Sequence, residues 1–185
     1  MKLITFIVGL GPGGAEKYLS KLIEASSSEI KHTVVYLTNP YYLTNFKNLC
    51  STMNIFEYLR SQMVRNLFSR DKNQIIYQGW MYHGMLIASL FHLLSKGSKL
   101  IWCFRHASPI ANKKRTIFLI KILSFLSFYI KPILIFNSNS GKENHKKLFP
   151  KYLKKIVIFN GYHDKKKGVK SRVNNLKLKL LSLNR

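Results

Sequence analysis

The stretch Gly9-Leu10-Gly11-Pro12-Gly13-Gly14-Ala15-Glu16 follows a short apolar run, Leu3 to Val8, and precedes an amphipathic segment. The apolar run is rich in β-branched and aromatic residues, which predicts a buried parallel strand. Beyond the glycines, apolar side chains recur at the three- and four-residue spacings of a helix, at Tyr18, Leu19, Leu22 and Ile23. A strand that turns through glycines into a helix presents backbone N–H groups and the positive helix end to a ligand. The stretch therefore predicts an anion or sugar-phosphate site at the head of an α/β domain.

The same loop has the Gly9-x-Gly11-x-x-Gly14 spacing of dinucleotide-binding folds. That fingerprint also needs an acidic residue about twenty positions later, at the end of the second strand, to bind the ribose. The second predicted strand, His32 to Leu37, ends in Thr38-Asn39-Pro40, and Glu29 lies before it. The pattern therefore argues against a nicotinamide or flavin site. It leaves two interpretations open, a phosphate-binding loop or a tight turn needed only for strand–helix packing.

Composition places the chain among globular domains with a strongly basic surface. The 185 residues are 46% hydrophobic and 13% aromatic, which excludes wholesale disorder, and the formal net charge is +24. The second half is the more basic, because residues 101–185 hold only two of the seven acidic residues, Glu143 and Asp164. Such a surface attracts polyanions: nucleic acid, anionic membrane or phosphorylated substrates. Two cysteines, Cys50 and Cys103, form no disulfide framework or metal spacing, which favours a reducing cytoplasm.

Strand and helix patterns alternate along the chain with short Gly, Pro and Asn punctuation, which predicts a doubly wound, Rossmann-like parallel sheet in a single domain. One predicted element is a short edge strand from Asn54 to Leu59. Polar groups follow the predicted strands at their carboxyl ends, where such sheets bind ligands. These groups are Gly11 to Gly14, Trp80 and His83, Arg105 and His106, Asn137 to Ser140, and Asn160-Gly161. We therefore expect one shared cleft.

The apolar run from Ile117 to Phe136 has about the length of a membrane span. Lys121 and Lys131-Pro132 interrupt it, however, and a central charge is costly in lipid. A buried helix or a basic amphipathic helix on an anionic membrane surface is the favoured interpretation, and a true span is the alternative.

Taken in order, five motifs resemble the N-terminal half of a GT-B glycosyltransferase of the retaining family 4 type. They are Gly9 to Glu16, Gly79-Trp80-Met81-Tyr82-His83-Gly84, Trp102-Cys103-Phe104-Arg105-His106, Phe136-Asn137-Ser138-Asn139-Ser140, and Lys155-Ile156-Val157-Ile158-Phe159-Asn160-Gly161. The resemblance implies an enzyme with two Rossmann-like halves and its active site between them. The N-terminal half holds the acceptor, a glycan or a lipid-linked sugar, for cell-surface polysaccharide synthesis.

The resemblance also implies a second half that binds the nucleotide sugar, which is a co-substrate; no other cofactor and no metal is expected. On this interpretation residues 1–164 form the domain, and residues 165–185 form a basic linker and the start of a second domain. The chain would then be truncated or completed by a separate donor-binding half, and inactive by itself. It would work in the cytoplasm, peripherally on the inner face of the cell membrane.

The candidate site residues each have a functional and a structural interpretation. His106 is the catalytic candidate, as a sugar contact, or else a loop residue that caps the next helix. Arg105 binds a lipid-linked diphosphate, or else it is a solvated or helix-capping arginine. Glu16 stabilises the helix dipole, and packing is favoured for Trp80. The predicted substrate-binding set is Gly13, Gly14, Glu16, Trp80, His83, Arg105 and Asn160.

Two other classes of function remain as alternatives. One is a basic nucleic-acid-binding module, which the net charge of +24 suggests, although no helix-turn-helix, zinc spacing or aromatic RNA-binding strand supports it. The other is a non-catalytic protein of the membrane surface.

Overall fold

A computed structural model describes residues 1–38, 41, 43–68, 75–95, 97–106 and 114–160, with backbone only for 63–68. The predicted boundary at residue 164 and the basic segment 165–185 lie outside the described residues.

Seven parallel strands form one sheet in the order β3-β2-β1-β4-β5-β6-β7. Their bounds are β1 Lys2–Gly9, β2 Lys31–Thr38, β3 Ser51–Asn54, β4 Ile75–Trp80, β5 Lys99–Phe104, β6 Ile133–Phe136 and β7 Lys155–Val157. The strand order reverses between β1 and β4, which makes this the topological switch point of a doubly wound sheet. The predicted fold class, a Rossmann-like parallel α/β domain, is confirmed.

Within the described part of the chain, six helices cover the two faces of the sheet. They are α1 Gly14–Glu24, α2 Leu43–Lys47, α3 Ile55–Phe68, α4 Met81–Leu94, α5 Lys114–Ile130 and α6 Asn139–Lys146. The buried side chains of α1 and α2 share one apolar cluster. Those of α3, α4 and α5 share the other, on the opposite face. Helix α5 ends at Ile130, and the next residue, Lys131, has a left-handed φ of 45° directly before Pro132.

Strand β5 shows why the sheet is buried on both faces. Its side chains alternate, so that Leu100, Trp102 and Phe104 join the cluster under α4 and α5. Ile101 and Cys103 point into the opposite cluster. Burial raises the pKa of the Cys103 thiol, and Nε2 of Gln78 donates to its sulfur at 3.0 Å. Cys103 is therefore a packed, unreactive thiol.

The predicted edge strand from Asn54 to Leu59 is wrong. The strand is Ser51–Asn54, and α3 already begins at Ile55. A capping box causes this early start: the amide of Glu57 donates to Oδ1 of Asn54 at 2.8 Å, and the amide of Asn54 donates to Oε2 of Glu57 at 3.0 Å. Two donors of the first helical turn are thereby satisfied, which outweighs the strand propensity of the following Ile55 and Phe56.

Helix α4 packs unusually close to β1 and β4 because two glycines lie at the contact. A Cβ on Gly84 would collide with the carbonyl oxygen of Phe6, and one on Gly79 would collide with the backbone of Met85. Both neighbours are main-chain atoms, which cannot rotate away. The start of α4 is therefore fixed against the carboxyl ends of the central strands.

No helix within the described residues is long and apolar enough to cross a membrane. The apolar run from Ile117 to Phe136 is divided instead between α5 and β6. The true span, which was the less favoured interpretation of this run, is wrong.

We expect Gly84→Ala to lower the free energy of unfolding by about 1–3 kcal/mol, because the added methyl group forces α4 away from β1. Urea unfolding followed by circular dichroism measures the change. Gly14→Ala is the matched control, since a Cβ there meets nothing within 4 Å, and it should leave stability nearly unchanged. Equal stability of the two variants would contradict the close contact.

Candidate functional site

The candidate site lies at the carboxyl edge of the sheet, across the switch point between β1 and β4. The glycine turn follows β1 there, Trp80 ends β4, and Arg105 and His106 follow β5. Parallel α/β sheets bind ligands in the crevice beyond this edge. The predicted convergence of these groups at one edge is confirmed by the topology.

The turn after β1 has a carboxylate at its helix end. Gly13 is the N-cap of α1, with φ −81° and ψ 163°, and no side chain caps the helix there. The Glu16 carboxylate lies beside the Cα of Gly13, where a Cβ would collide with it. The positive end of α1 is thus partly compensated by Glu16. An anion bound at this edge needs a cation from another element.

Arg105 is that cation, and its guanidinium group lies over two neighbouring aromatic rings, whose centroids are 6.2 Å apart. Its Cζ is 4.1 Å from the ring centroid of Trp80 and 4.4 Å from that of Tyr18. Nη1 of Arg105 donates to Oδ1 of Asn160 at 3.1 Å. No ion pair with a carboxylate holds Arg105 within the described part of the chain. The rings fix its plane by cation–π attraction and leave its charge uncompensated.

The segment that carries Arg105 is held from β6 and α6. Nδ2 of Asn137 donates to the carbonyl oxygen of Arg105 at 3.3 Å. Ser138 caps α6 by accepting from the amide of Gly141 at 3.0 Å. A Cβ on Gly141 would lie 3.3 Å from the carbonyl oxygen of His106, so the first turn of α6 packs tightly against this segment. The polar residues from Asn137 to Ser140, which the sequence placed at this edge, therefore cap α6 and also position Arg105 and His106.

Three buried polar atoms at this edge have no hydrogen-bond partner among the described residues: Nε1 of Trp80, Nε of Arg105 and Oδ1 of Asn137. Trp80 is fully buried, so its packing role is confirmed, but its indole N–H remains unsatisfied. Buried polar atoms are almost always paired, and exceptions concentrate where a ligand or an ordered water completes the site. Two donors and one acceptor are therefore left for such a partner.

His106 borders a small crevice lined by Met81, Tyr82, Met85, Phe104 and Arg105. Burial lowers the pKa of His106 below its ordinary value of 6.5, so its imidazole is neutral at pH 7. A neutral imidazole donates one hydrogen bond and accepts another, which suits a sugar hydroxyl. Met81 has a φ of 62°, a strained conformation for a residue with a side chain, and such strain is concentrated at functional sites.

His145 lies behind this crevice, and the sequence alone gave no reason to select it. It is fully buried; its Nδ1 donates to the carbonyl oxygen of Gly141 at 2.8 Å, and its Nε2 lies 2.8 Å from the hydroxyl of Tyr82. Because Nδ1 carries the proton, the Tyr82 hydroxyl donates to Nε2. Burial raises the pKa of Tyr82 to about 12 and lowers that of His145. This hydrogen bond joins the start of α4 to α6. In the sequence, His145 is only a histidine four residues after Gly141, and that spacing does not reveal its role.

The predicted site residues divide into two groups. Gly13, Gly14 and Glu16 border the glycine turn, and Trp80, Arg105 and Asn160 are joined by the stacking and hydrogen bond described above. His83 lies apart, exposed on the first turn of α4. No group of three His, Cys, Asp or Glu side chains that could hold a metal ion occurs among the described residues.

A larger cavity, of about 220 Å³, lies between α3 and the amino ends of β1, β2 and β3. Its lining includes Lys2, Lys31, His32 and Gln62. Nε2 of Gln62 in this cavity is also without a hydrogen-bond partner among the described residues. We assign the site to the carboxyl edge, because parallel sheets bind ligands there and Arg105, a cation without a carboxylate partner among the described residues, lies at that edge.

The fold and this edge define the class of architecture, one half of a GT-B fold. Solved structures of HepE from Anabaena share it. The complex with UDP and glucose has a TM-score of 0.66 at 16% identity over 97% of this chain, and the UDP complex 0.67 at 15%. The UDP-glucose complex has 0.66 at 16%. The chain spans about half the length of these structures, since it covers 50% of each.

The resemblance to half of a GT-B enzyme is thereby confirmed at the level of the fold. No protein-family model matches the sequence. No curated protein matches it either.

We expect folding stability to fall as the pH drops below about 6.5, because burial depresses the pKa of His145 and the unfolded chain then binds more protons than the folded one. Above pH 6.5 this contribution to the stability is fully present. It is lost as the pH falls from 6.5 through the pKa of the folded state. His32, His92 and His106 act in the same direction. Urea unfolding between pH 7.5 and 5 measures the slope.

His145→Gln should reduce that slope by up to about 1.4 kcal/mol per pH unit, the value for one proton. Tyr82→Phe is the companion variant. It leaves Nε2 of His145 unpaired and should cost about 1–3 kcal/mol at pH 7.5 while retaining the steep pH dependence. An unchanged slope in His145→Gln would show that this histidine does not titrate on unfolding.

Proposed function

We propose that this chain is the acceptor-binding half of a glycosyltransferase that transfers a sugar from a nucleotide sugar in cell-surface polysaccharide synthesis. The GT-B half fold supports the class of enzyme. The bound UDP, UDP with glucose, and UDP-glucose of the HepE structures support a nucleotide sugar as the donor. On this proposal the donor is bound mainly by a second Rossmann-like half, in this protein or in a partner chain.

The observation that carries the proposal is the uncompensated guanidinium group of Arg105. A planar cation held against the rings of Tyr18 and Trp80 recognises phosphate oxygens with paired N–H donors. Its position at the switch point, beside the glycine turn, puts this charge where a GT-B cleft closes. We assign Arg105 to the diphosphate of a lipid-linked acceptor.

The neighbouring groups complete the site. His106 donates or accepts a hydrogen bond at an acceptor hydroxyl, and as a neutral imidazole it needs no proton transfer for this role. The glycine turn at Gly13 and Gly14 lets phosphate or sugar approach the backbone closely. Asn160 sets the outer edge of the guanidinium through its hydrogen bond. His83 remains a predicted contact on the rim.

A lipid-linked acceptor lies in a bilayer, so we further propose that the domain works at the surface of the membrane. The excess of basic residues supports attachment to anionic headgroups.

Arg105→Gln should weaken binding of geranyl diphosphate, a short water-soluble mimic of the acceptor's lipid diphosphate, by about tenfold, because a charged hydrogen bond contributes about 1.5–3 kcal/mol. Isothermal titration calorimetry at 0.15 M salt measures the affinity. Arg105→Lys should lie between wild type and Gln, since lysine keeps the charge but not the planar pair of donors.

Lys21→Gln is the matched control for charge, because Lys21 is an exposed cation in the last turn of α1. It should bind geranyl diphosphate as wild type does. Equal losses in Arg105→Gln and Lys21→Gln would mean that only net charge attracts the ligand, and the assignment of Arg105 would fail.

The 185-residue chain by itself should neither hydrolyse nor transfer the sugar of UDP-glucose, because the donor site is proposed to lie in the other half. Release of UDP in a coupled assay measures turnover. Clear turnover by the purified chain would show that this half binds the donor productively, and the division of roles would be wrong.

A further inference from the structure

Helix α5 exposes an aromatic stripe that packs on nothing in the described fold. Phe118, Phe125, Phe128 and Tyr129 are 54–71% exposed, although phenylalanine is normally buried. Their spacing of three to seven residues places them on one side of the helix. The opposite side, with Leu119, Ile120, Leu123 and Ser127, is buried on the sheet.

The stripe continues onto its neighbours. Helix α4 lies beside α5 on the same face of the sheet and exposes leucines near its end, including Leu94 at 77%. Tyr152 is also exposed, and its hydroxyl donates to the carbonyl oxygen of Phe128. We call this surface the aromatic face; it consists of Leu90, Leu93, Leu94, Phe118, Phe125, Phe128, Tyr129 and Tyr152. Exposed apolar side chains gathered on neighbouring elements in this way mark an interaction site.

Charge identifies the partner. Neither α4 nor α5 contains an aspartate or glutamate, whereas α5 begins with Lys114 and Arg115 and also exposes Lys121 on the aromatic side. Lys131 follows at its end. A second copy of the chain would bring these like charges together, which opposes self-association. An anionic bilayer satisfies both features, since its headgroups attract lysine and its interface accepts aromatic rings.

We propose that the aromatic face docks on an anionic lipid bilayer, with α5 lying in the plane of the headgroups. The rings of Phe118, Phe125 and Tyr129 enter the headgroup boundary, and Lys121 and Lys114 pair with lipid phosphates. Helix α5 has 17 residues and is about 25 Å long, which suits a helix that lies on the membrane.

The docked orientation connects with the site. Because β5 and β6 are parallel, α5 runs back from the carboxyl edge, so Lys114 and Phe118 lie toward the edge that holds Arg105 and His106. A diphosphate at the bilayer surface would then approach that edge from the side. Only this approach of a diphosphate to the edge rests on the proposed function; the docking on the bilayer does not.

The test is sedimentation with vesicles of phosphatidylcholine and phosphatidylglycerol, without any lipid-linked sugar, at 0.15 M salt. Wild type should partition to these vesicles at least tenfold better than to pure phosphatidylcholine. Phe118→Ser/Phe125→Ser should reduce partitioning by about tenfold, and Lys121→Gln by about fivefold, the value for one lysine near the surface.

Matched controls lie away from the face. Lys21→Gln makes the same charge change on α1, across the sheet, and Tyr41→Ser removes another aromatic side chain that is 71% exposed. Both should partition as wild type, and circular dichroism checks that every variant is folded. The aromatic-face variants should also bind geranyl diphosphate normally, which separates the docking from the proposed function.

Three results would overturn the docking. The first is that the aromatic-face variants partition as wild type does, or that wild type partitions equally to neutral and anionic vesicles. The second is a dimer in analytical ultracentrifugation that Phe118→Ser/Phe125→Ser abolishes while vesicle binding persists, which would assign the face to a second copy. The third is tighter binding to duplex DNA than to anionic vesicles at 0.2 M salt, lost in Lys121→Gln, because non-specific DNA contacts are strongly screened there.

Discussion

The packing of α4 directly on the backbone of β1 and β4 is the constraint on which the carboxyl edge depends. Gly79 and Gly84 permit it, because any Cβ at these positions would strike main-chain atoms. The close approach turns the chain sharply between Trp80 and Tyr82, and Met81 takes up the turn with a φ of 62°. Trp80 then ends β4 fully buried, with one ring face toward Arg105. Without that contact the guanidinium of Arg105 would have a single aromatic neighbour and no fixed plane.

The electrostatics of this edge follow from what is absent around Arg105. The positive end of α1 is near the Glu16 carboxylate, and Arg105 is held by two rings and the neutral amide of Asn160. Three buried polar atoms stay without partners in the same place. The unpaired polar atoms lower the local stability at this edge of the sheet, and such a loss of stability is typical of binding sites. The aromatic face also lowers stability, because its apolar side chains remain exposed to water on the outside of the fold.

The residues that the sequence identified share one property, a position at or shortly after the carboxyl end of a strand. Gly13, Trp80, Arg105, His106 and Asn160 were found because parallel strands bring their carboxyl ends to one edge. His145 was missed because it lies inside a polar helix, and its role comes from Tyr82, 63 residues away. The edge strand at Asn54 was misplaced although its capping box was legible: an Asn followed three residues later by Glu begins a helix even when the next residues favour strands.

The sequence by itself determined the alternation of strands and helices, the glycine turn, the lack of a ribose-binding carboxylate and the basic charge, because each is a property of local pattern or composition. Only the tertiary structure decided the contact of Arg105 with the rings of Tyr18 and Trp80, the Tyr82–His145 hydrogen bond and the exposure of one side of α5. These depend on the distance between elements that are far apart in the chain. The side chains between two elements set that distance, and a glycine, which has no side chain, lets the two backbones come closer together.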